Sequence, residues 1–300
     1  MRDLLLRGLT GSSHEPIVTI VRRYAATPDD VWSALTDSSR LARWLGDVER
    51  DADDPALVRI RFADDPDGPA ALRIEQCAPA ETLAVGWTWD AEAPSRVRVD
   101  LRRDGDGTIL TLEHRLGEPD HVADYGGGWE SHLRALAKLH GGADNGTDAA
   151  APWALLAQRP LHLEIELSSP VADVWASLTR PERLRTWWWN HWDDVEITAD
   201  ARPGGAYRFA AGAAGIAVAG RYLAVEAPHR LAFTWRWSDA DGESRDEACD
   251  IDLRETAAGC VLTLRHTGPW TDDGPVESYR QGWEFVFAAL RVSLGEEGTR

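Results

Sequence analysis

Two histidines close strands of the same spelling, Leu110-Thr-Leu-Glu-His114 and Leu262-Thr-Leu-Arg-His266. Each follows two leucines at the inward parity of its strand, where an imidazole could hydrogen-bond a ligand or serve as a general base. The alternative is a histidine satisfied within the core or at its rim, and no carboxylate stands at a spacing that identifies a partner. His132, on the apolar stripe of a helical segment, raises the same choice between a lone polar cavity group and a packed residue. Glu130 and Glu284 each follow a Gly-Trp pair, and their quarter-turn offset from that Trp predicts helix-surface or rim positions.

Aromatic side chains supply the other candidate chemistry. Of 15 tryptophans, four fall in Arg185-Thr-Trp-Trp-Trp-Asn-His-Trp192. Successive helical residues turn by about 100°, so three consecutive indoles at a helix end are not expected to face inward together. Trp187 reads as core, Trp188 or Trp192 as the mouth of a pocket, and at least one of the others as substantially exposed. Trp235, Trp237 and Trp283 read either as core packing or as walls of a cavity for an apolar or aromatic molecule, since an indole buries a large surface and keeps one N–H donor.

Other chemistries find no pattern. No G-x-S-x-G, P-loop, strand-linked G-x-G-x-x-G or H-E-x-x-H occurs, so no catalytic residue, cofactor or metal ligand is assigned. Cys77, Cys249 and Cys260 are odd in number and lack C-x-x-C spacing, which predicts reduced thiols rather than disulfides or zinc. The acidic runs Asp51 to Asp54 and Asp64 to Asp67 lack the calcium-loop pattern and read as solvated turns. The net charge of −18 is spread over both halves, with 17 basic and 27 acidic residues in 1–150, which disfavours nucleic acid and anionic membranes as partners. No apolar run reaches the roughly 20 residues of a membrane span. The leucines near the start are stopped by Arg7, too early for a secretory signal, so a cytoplasmic protein is expected. Lys138 is the one lysine among 32 basic residues, a coding bias typical of GC-rich bacteria.

The elements that must position these residues are written twice. Tyr125-x-x-Gly-Trp-Glu130 with Ala135-Leu136 recurs as Tyr279-x-x-Gly-Trp-Glu284 with Ala289-Leu290. Asp30-Val-Trp32 matches Asp173-Val-Trp175, Leu41-x-x-Trp44 matches Leu184-x-x-Trp187, and Leu83-Ala-Val-Gly-Trp-Thr-Trp89 matches Leu231-Ala-Phe-Thr-Trp-Arg-Trp237. A period this long means duplicated domains rather than a solenoid. The expected division is 15–140, a small and polar linker at 141–158 with a short helical turn toward its end, and 159–296. Each copy predicts a first strand, a short helix capped at Thr27-Pro28 or Ser169-Pro170, a second short helix, several alternating strands and a long amphipathic helix. Leu231, Phe233, Trp235 and Trp237 share one parity of their strand, as do Leu83, Val85, Trp87 and Trp89.

Pro-x-x-x-Val-Trp, Leu-x-x-Trp, Arg202-Pro-Gly-Gly-Ala-Tyr-Arg208, Gly220-Arg-Tyr-Leu-Ala-Val-Glu-Ala-Pro228, Leu-x-Phe-x-Trp, Leu-Thr-Leu-x-His and the final Gly-Trp together resemble the activator of heat-shock protein 90 ATPase homologue family of the START-like (SRPBCC) superfamily. The second copy follows the pattern closely and the first diverges from it. The resemblance implies an α+β helix-grip fold, a curved antiparallel sheet around a long C-terminal helix with a pocket between them. The expected function is non-catalytic binding of a small hydrophobic or aromatic molecule, mainly in the second copy. Its expected wall there is Trp188, Trp192, Tyr207, Phe209, Tyr222, Phe233, Trp235, Trp237, His266, Trp283 and Phe287; the first copy offers Trp87, His114, Trp129 and His132. A chaperone-interacting stress module and a polyketide aromatase/cyclase-like enzyme stand as alternatives.

Overall fold

A computed structural model describes residues 5–62, 68–142 and 149–296; the acidic run Asp64 to Asp67 and residues 143–148 of the linker lie outside them. The chain divides into two compact units, Met1–Ala154 and Leu155–Arg300. Alternating apolar residues build an antiparallel sheet in each, and the long amphipathic helix lays its apolar stripe on one face, giving the two-layer core of an α+β helix-grip fold.

In the first unit the order is β1 (Leu5–Gly11), β2 (Pro16–Tyr24), α1 (Pro28–Thr36), α2 (Ser38–Leu41), β3 (Asp47–Arg50), β4 (Leu57–Arg61), β5 (Ala70–Ala78), β6 (Thr82–Thr88), β7 (Ser95–Asp104), β8 (Gly107–Arg115) and α3 (Val122–Leu139). Helix α4 (Ala150–Gln158) follows, and the second unit continues with β9 (Leu161–Leu167), α5 (Val171–Thr179), α6 (Pro181–Leu184), β10 (Val195–Ala199), β11 (Ala206–Ala211), β12 (Ile216–Glu226), β13 (Arg230–Asp239), β14 (Gly242–Glu243), β15 (Glu247–Thr256), β16 (Gly259–Thr267) and α7 (Gly274–Ser293). The sheets run β1-β2-β8-β7-β6-β5-β4-β3 and β10-β11-β12-β13-β15-β16-β9, with β14 attached to β13. Read from opposite ends, seven strands correspond one to one; β1 is an addition to the first unit. Register shifts at Ile74/Gln76 in β5 and Tyr222/Ala224 in β12 repeat too, and such bulges bend a strand.

The caps differ between copies. Thr27 Oγ1 accepts the Asp30 amide at 3.3 Å, as the spelling predicts. In the second copy the cap residue is Pro170, whose ring carries no hydrogen-bond acceptor. Ser169 instead gives its amide and hydroxyl to Glu296, both at 3.1 Å.

The expected rim position of Glu130 is overturned. It is fully buried, whereas Glu284 is exposed. Arg7 on β1 reaches Glu130 with two bonds of 2.7 Å, Arg134 pairs with it from the next turn, and Trp153 on α4 donates at 3.2 Å. Burial pushes this carboxyl upward, but the Arg7 and Arg134 guanidiniums outweigh it and hold the pKa below the usual carboxylate range. Gly126 and Gly127 make the approach of α4 possible: a Cβ on Gly126 would stand 2.3 Å from the Trp153 ring, and one on Gly127 2.9 Å from Ala150. Arg280 and Gln281 hold these places in the second copy.

Candidate functional site

Each unit contains the same indole–imidazole pair. Trp129 on α3 donates its Nε1–H to His114 Nδ1 at 3.0 Å, and Trp283 on α7 donates to His266 Nδ1 at 3.2 Å. An accepting Nδ1 requires the proton on Nε2 in the neutral ring. In the first unit Nε2 lies 2.8 Å from the Ser95 hydroxyl; in the second it is buried without a partner. Burial drives both histidines down to about 3, so both are neutral at physiological pH. They line neither the first unit's cavity nor the spaces of the second, which corrects their expected place in the ligand wall: burial and the Nδ1 bond to the long helix make them core.

A cavity of about 770 Å³ belongs to the first unit, between α3, the β6 end, Phe62 and the turn after α2. Trp44, Leu45, Phe62, Trp87, Trp89 and Trp129 form its apolar walls. Gly128 opens the helix side, since a Cβ there would meet nothing within 4 Å. Polar groups gather at one end. Tyr125 donates to Glu92 Oε2 at 2.5 Å and accepts the Trp87 indole N–H at 3.1 Å. Burial and the Glu92 carboxylate keep that phenol protonated well above its ordinary range. His121 turns Nδ1 toward Glu92 at 3.8 Å and Nε2 toward Glu118 at 3.4 Å. His132 also lines the cavity; its Nδ1 sits 3.1 Å from the Trp44 carbonyl, an acceptor only, so Nδ1 carries the proton and Nε2 is left as an acceptor. Burial lowers the His132 pKa, and the Trp44 carbonyl opposes it in part.

The interior of the second unit is filled. Tyr207, Phe209, Tyr222, Phe233 and Trp235 surround a void of about 30 Å³ between sheet and helix, where an enclosed ligand pocket was expected. The plug is Trp188. Its indole contacts those of Trp187, Trp235 and Trp283 at ring separations of 5.2, 6.1 and 5.6 Å, and Phe209 at 5.0 Å. The repeat counterpart of Trp188 is Leu45, a smaller side chain that lines the first unit's cavity. Trp187 and Trp44 are equivalent to the level of one bond: each indole donates at 3.0 Å to a carbonyl of the preceding helix, Ser177 or Ala34.

The expectation that one of the clustered indoles is substantially exposed fails. Trp187, Trp188 and Trp189 keep 1%, 4% and 7% of their surface, and Trp192 is half-buried. Helix α6 ends at Leu184, and Trp189 adopts φ +49°, a left-handed turn in which helical rotation no longer applies. Trp189 instead meets Trp192 and Trp237 edge-on.

The second unit does carry an apolar groove of about 450 Å³ beside α7, lined by Trp188, Trp189, Trp235, Trp237, Trp283, Phe285 and neighbours. Of the expected wall, Trp188, Trp235, Trp237 and Trp283 reach this groove. Trp192, His266 and Phe287 line neither it nor the void. In the first unit Trp87, Trp129 and His132 line the cavity. Phe62, Glu92, His121, Asp124 and Tyr125 were not anticipated as its lining. Tyr125 alone carried a signal, as the first letter of the repeated Y-x-x-G-W-E. No group of three or more His, Cys, Asp or Glu positioned to hold a metal ion occurs among the described residues. No helix among them is long and apolar enough to cross a membrane.

Comparison with known proteins agrees with the duplication. Among curated proteins no match is found. CalU16 from Micromonospora echinospora is 28% identical over 46% of this chain and 85% of its own, with a TM-score of 0.38. CV1439 from Chromobacterium violaceum is 28% identical over 46% of this chain and 99% of its own, with a TM-score of 0.38. DynU16, a protein in the dynemicin biosynthetic locus, is 18% identical over 93% of this chain and 97% of its own, again with a TM-score of 0.38. A family model described as "Activator of Hsp90 ATPase homolog 1-like protein" matches residues 25–141 and, a second time, residues 168–295. With most of its length accounted for by these two segments, the chain belongs to that family, in two tandem copies.

Proposed function

We propose that the protein binds a small, largely apolar molecule, with the cavity of the first unit as the principal site. The observation behind this is the contrast between duplicated scaffolds: about 770 Å³ stands open in the first unit, whereas the equivalent groove of the second measures about 450 Å³ and the space beneath Trp188 about 30 Å³. A concave site of that size, aromatic on most sides and polar at one end, has the features of a small-molecule site. The free cysteines fit a reducing compartment, and we place the protein in the cytoplasm. The chaperone-interacting alternative draws on the family's description alone and is carried no further.

Two glycines provide the test. Gly128 lines the first unit's cavity and its counterpart Gly282 lines the second unit's groove, each with open space where a Cβ would stand. Binding of naphthalenemethanol to the full chain, followed by tryptophan fluorescence, should be lost in Gly128→Leu and kept in Gly282→Leu. The opposite pattern moves the site to the second unit, and no binding by the unmodified chain removes the function.

A further inference from the structure

We propose that the first unit's cavity selects molecules that bring a hydrogen-bond donor, above all an ammonium group, on an apolar or aromatic body. This rests on the cavity being the binding site and names the class of ligand it takes. The donors of the wall are spent within the protein.

Four indoles face the cavity, and every one of their N–H groups is committed within the protein. Trp44 gives its proton to the Ala34 carbonyl, Trp87 to the Tyr125 oxygen, Trp89 to the Gly68 carbonyl and Trp129 to His114 Nδ1. The Tyr125 hydroxyl is spent on Glu92, and the Nδ1–H of His132 on the Trp44 carbonyl. His121 turns both ring nitrogens to carboxylates.

What remains unspent is mostly acceptor. The Glu92 carboxylate retains lone pairs beyond the Tyr125 bond, Asp124, an exposed residue, adds a second carboxylate at the rim, and His132 keeps Nε2 as an acceptor. Arg43, an exposed residue, is the one guanidinium in the lining among the described residues. An acceptor-rich wall leaves a ligand's own acceptors without partners and rewards its donors. A positive charge gains further, from two carboxylates and from the ring faces of Trp87, Trp89 and Tyr125 around them.

Three probes sharing one aromatic body separate the possibilities: naphthylmethylamine, naphthalenemethanol and naphthoate, titrated into the full chain at neutral pH. The ammonium should bind about tenfold more tightly than the alcohol, the gain of a charge-assisted contact, with naphthoate the weakest. Glu92→Gln and Asp124→Asn should each weaken the ammonium more than the alcohol and so shrink its advantage, with an unaltered circular dichroism spectrum showing that the variants are folded. An ammonium no tighter than the alcohol, or naphthoate as the tightest of the three, overturns the inference while the binding function stands. If neither the ammonium nor the alcohol binds, the binding function falls and the inference with it.

Discussion

Replacing Glu130 with Gln isolates the buried charge that ties β1 and α4 to α3. The substitution keeps the shape and an oxygen for the Trp153 indole, but leaves the Arg7 and Arg134 guanidiniums facing a neutral amide. Removing one partner of a buried ion pair costs about 3–5 kcal/mol. Here the two arginine side chains keep 16% and 17% exposure while Glu130 keeps none, so they recover part of their hydration. The expected loss is therefore about 2–4 kcal/mol from the first unit. Glu284→Gln, at the equivalent but exposed position of the second copy, should change stability by less than about 0.5 kcal/mol. Calorimetry of the full chain reads both effects, with Trp188→Leu identifying the transition of the second unit. Acid supplies an independent check. The Glu130 pKa is lowered in the folded state, so its contribution is fully present above the ordinary carboxyl value and is lost as pH falls through the lowered one. Glu130→Gln should flatten that acid limb. Equal shifts for Glu130→Gln and Glu284→Gln, or an unaltered acid limb, would refute the assignment.

Trp188→Leu should cost the second unit about 3–5 kcal/mol, the range for truncating a buried large side chain, and should create new uptake of naphthalenemethanol there; a variant that loses stability but binds nothing new would show that the walls collapse. The two buried histidines predict a shared acid sensitivity. Their folded pKa of about 3 lies below the ordinary 6.5, so the unfolded chain takes up protons that the folded units refuse, and stability should decline from about pH 6.5 toward pH 3. Denaturant titrations of His114→Gln and His266→Gln across that range should show shallower slopes than the unmodified chain.

The fold was legible because Y-x-x-G-W-E and L-T-L-x-H are periodic statements about which face is inward, and a sheet and a helix obey such statements. The state of the pockets was not. Leu45 and Trp188 occupy the same place in the repeat, yet whether an indole there lines a cavity or plugs it depends on the depth of the space, which only the assembled sheet defines. Helical rotation misjudged Trp189 because the chain had already left the helix there. Glu130 and Glu284 are spelled alike; their opposite fates are decided by Arg7 and Trp153, residues remote in sequence that bond Glu130. The Trp129–His114 pair joins two motifs that were each visible, but their meeting is a fact of register between helix and strand.

The glycines under Trp153 set apart what was duplicated from what can stand alone. Family resemblance to the first copy starts at residue 25 and stops at 141, but a fragment cut to those limits would leave Glu130 without its strand-borne arginine and bare the bed of Gly126 and Gly127. A separable first unit must therefore carry Arg7 at one end and Trp153 at the other. Ancestry and autonomy draw different borders on this chain, and anyone dissecting it into working parts should cut along the second.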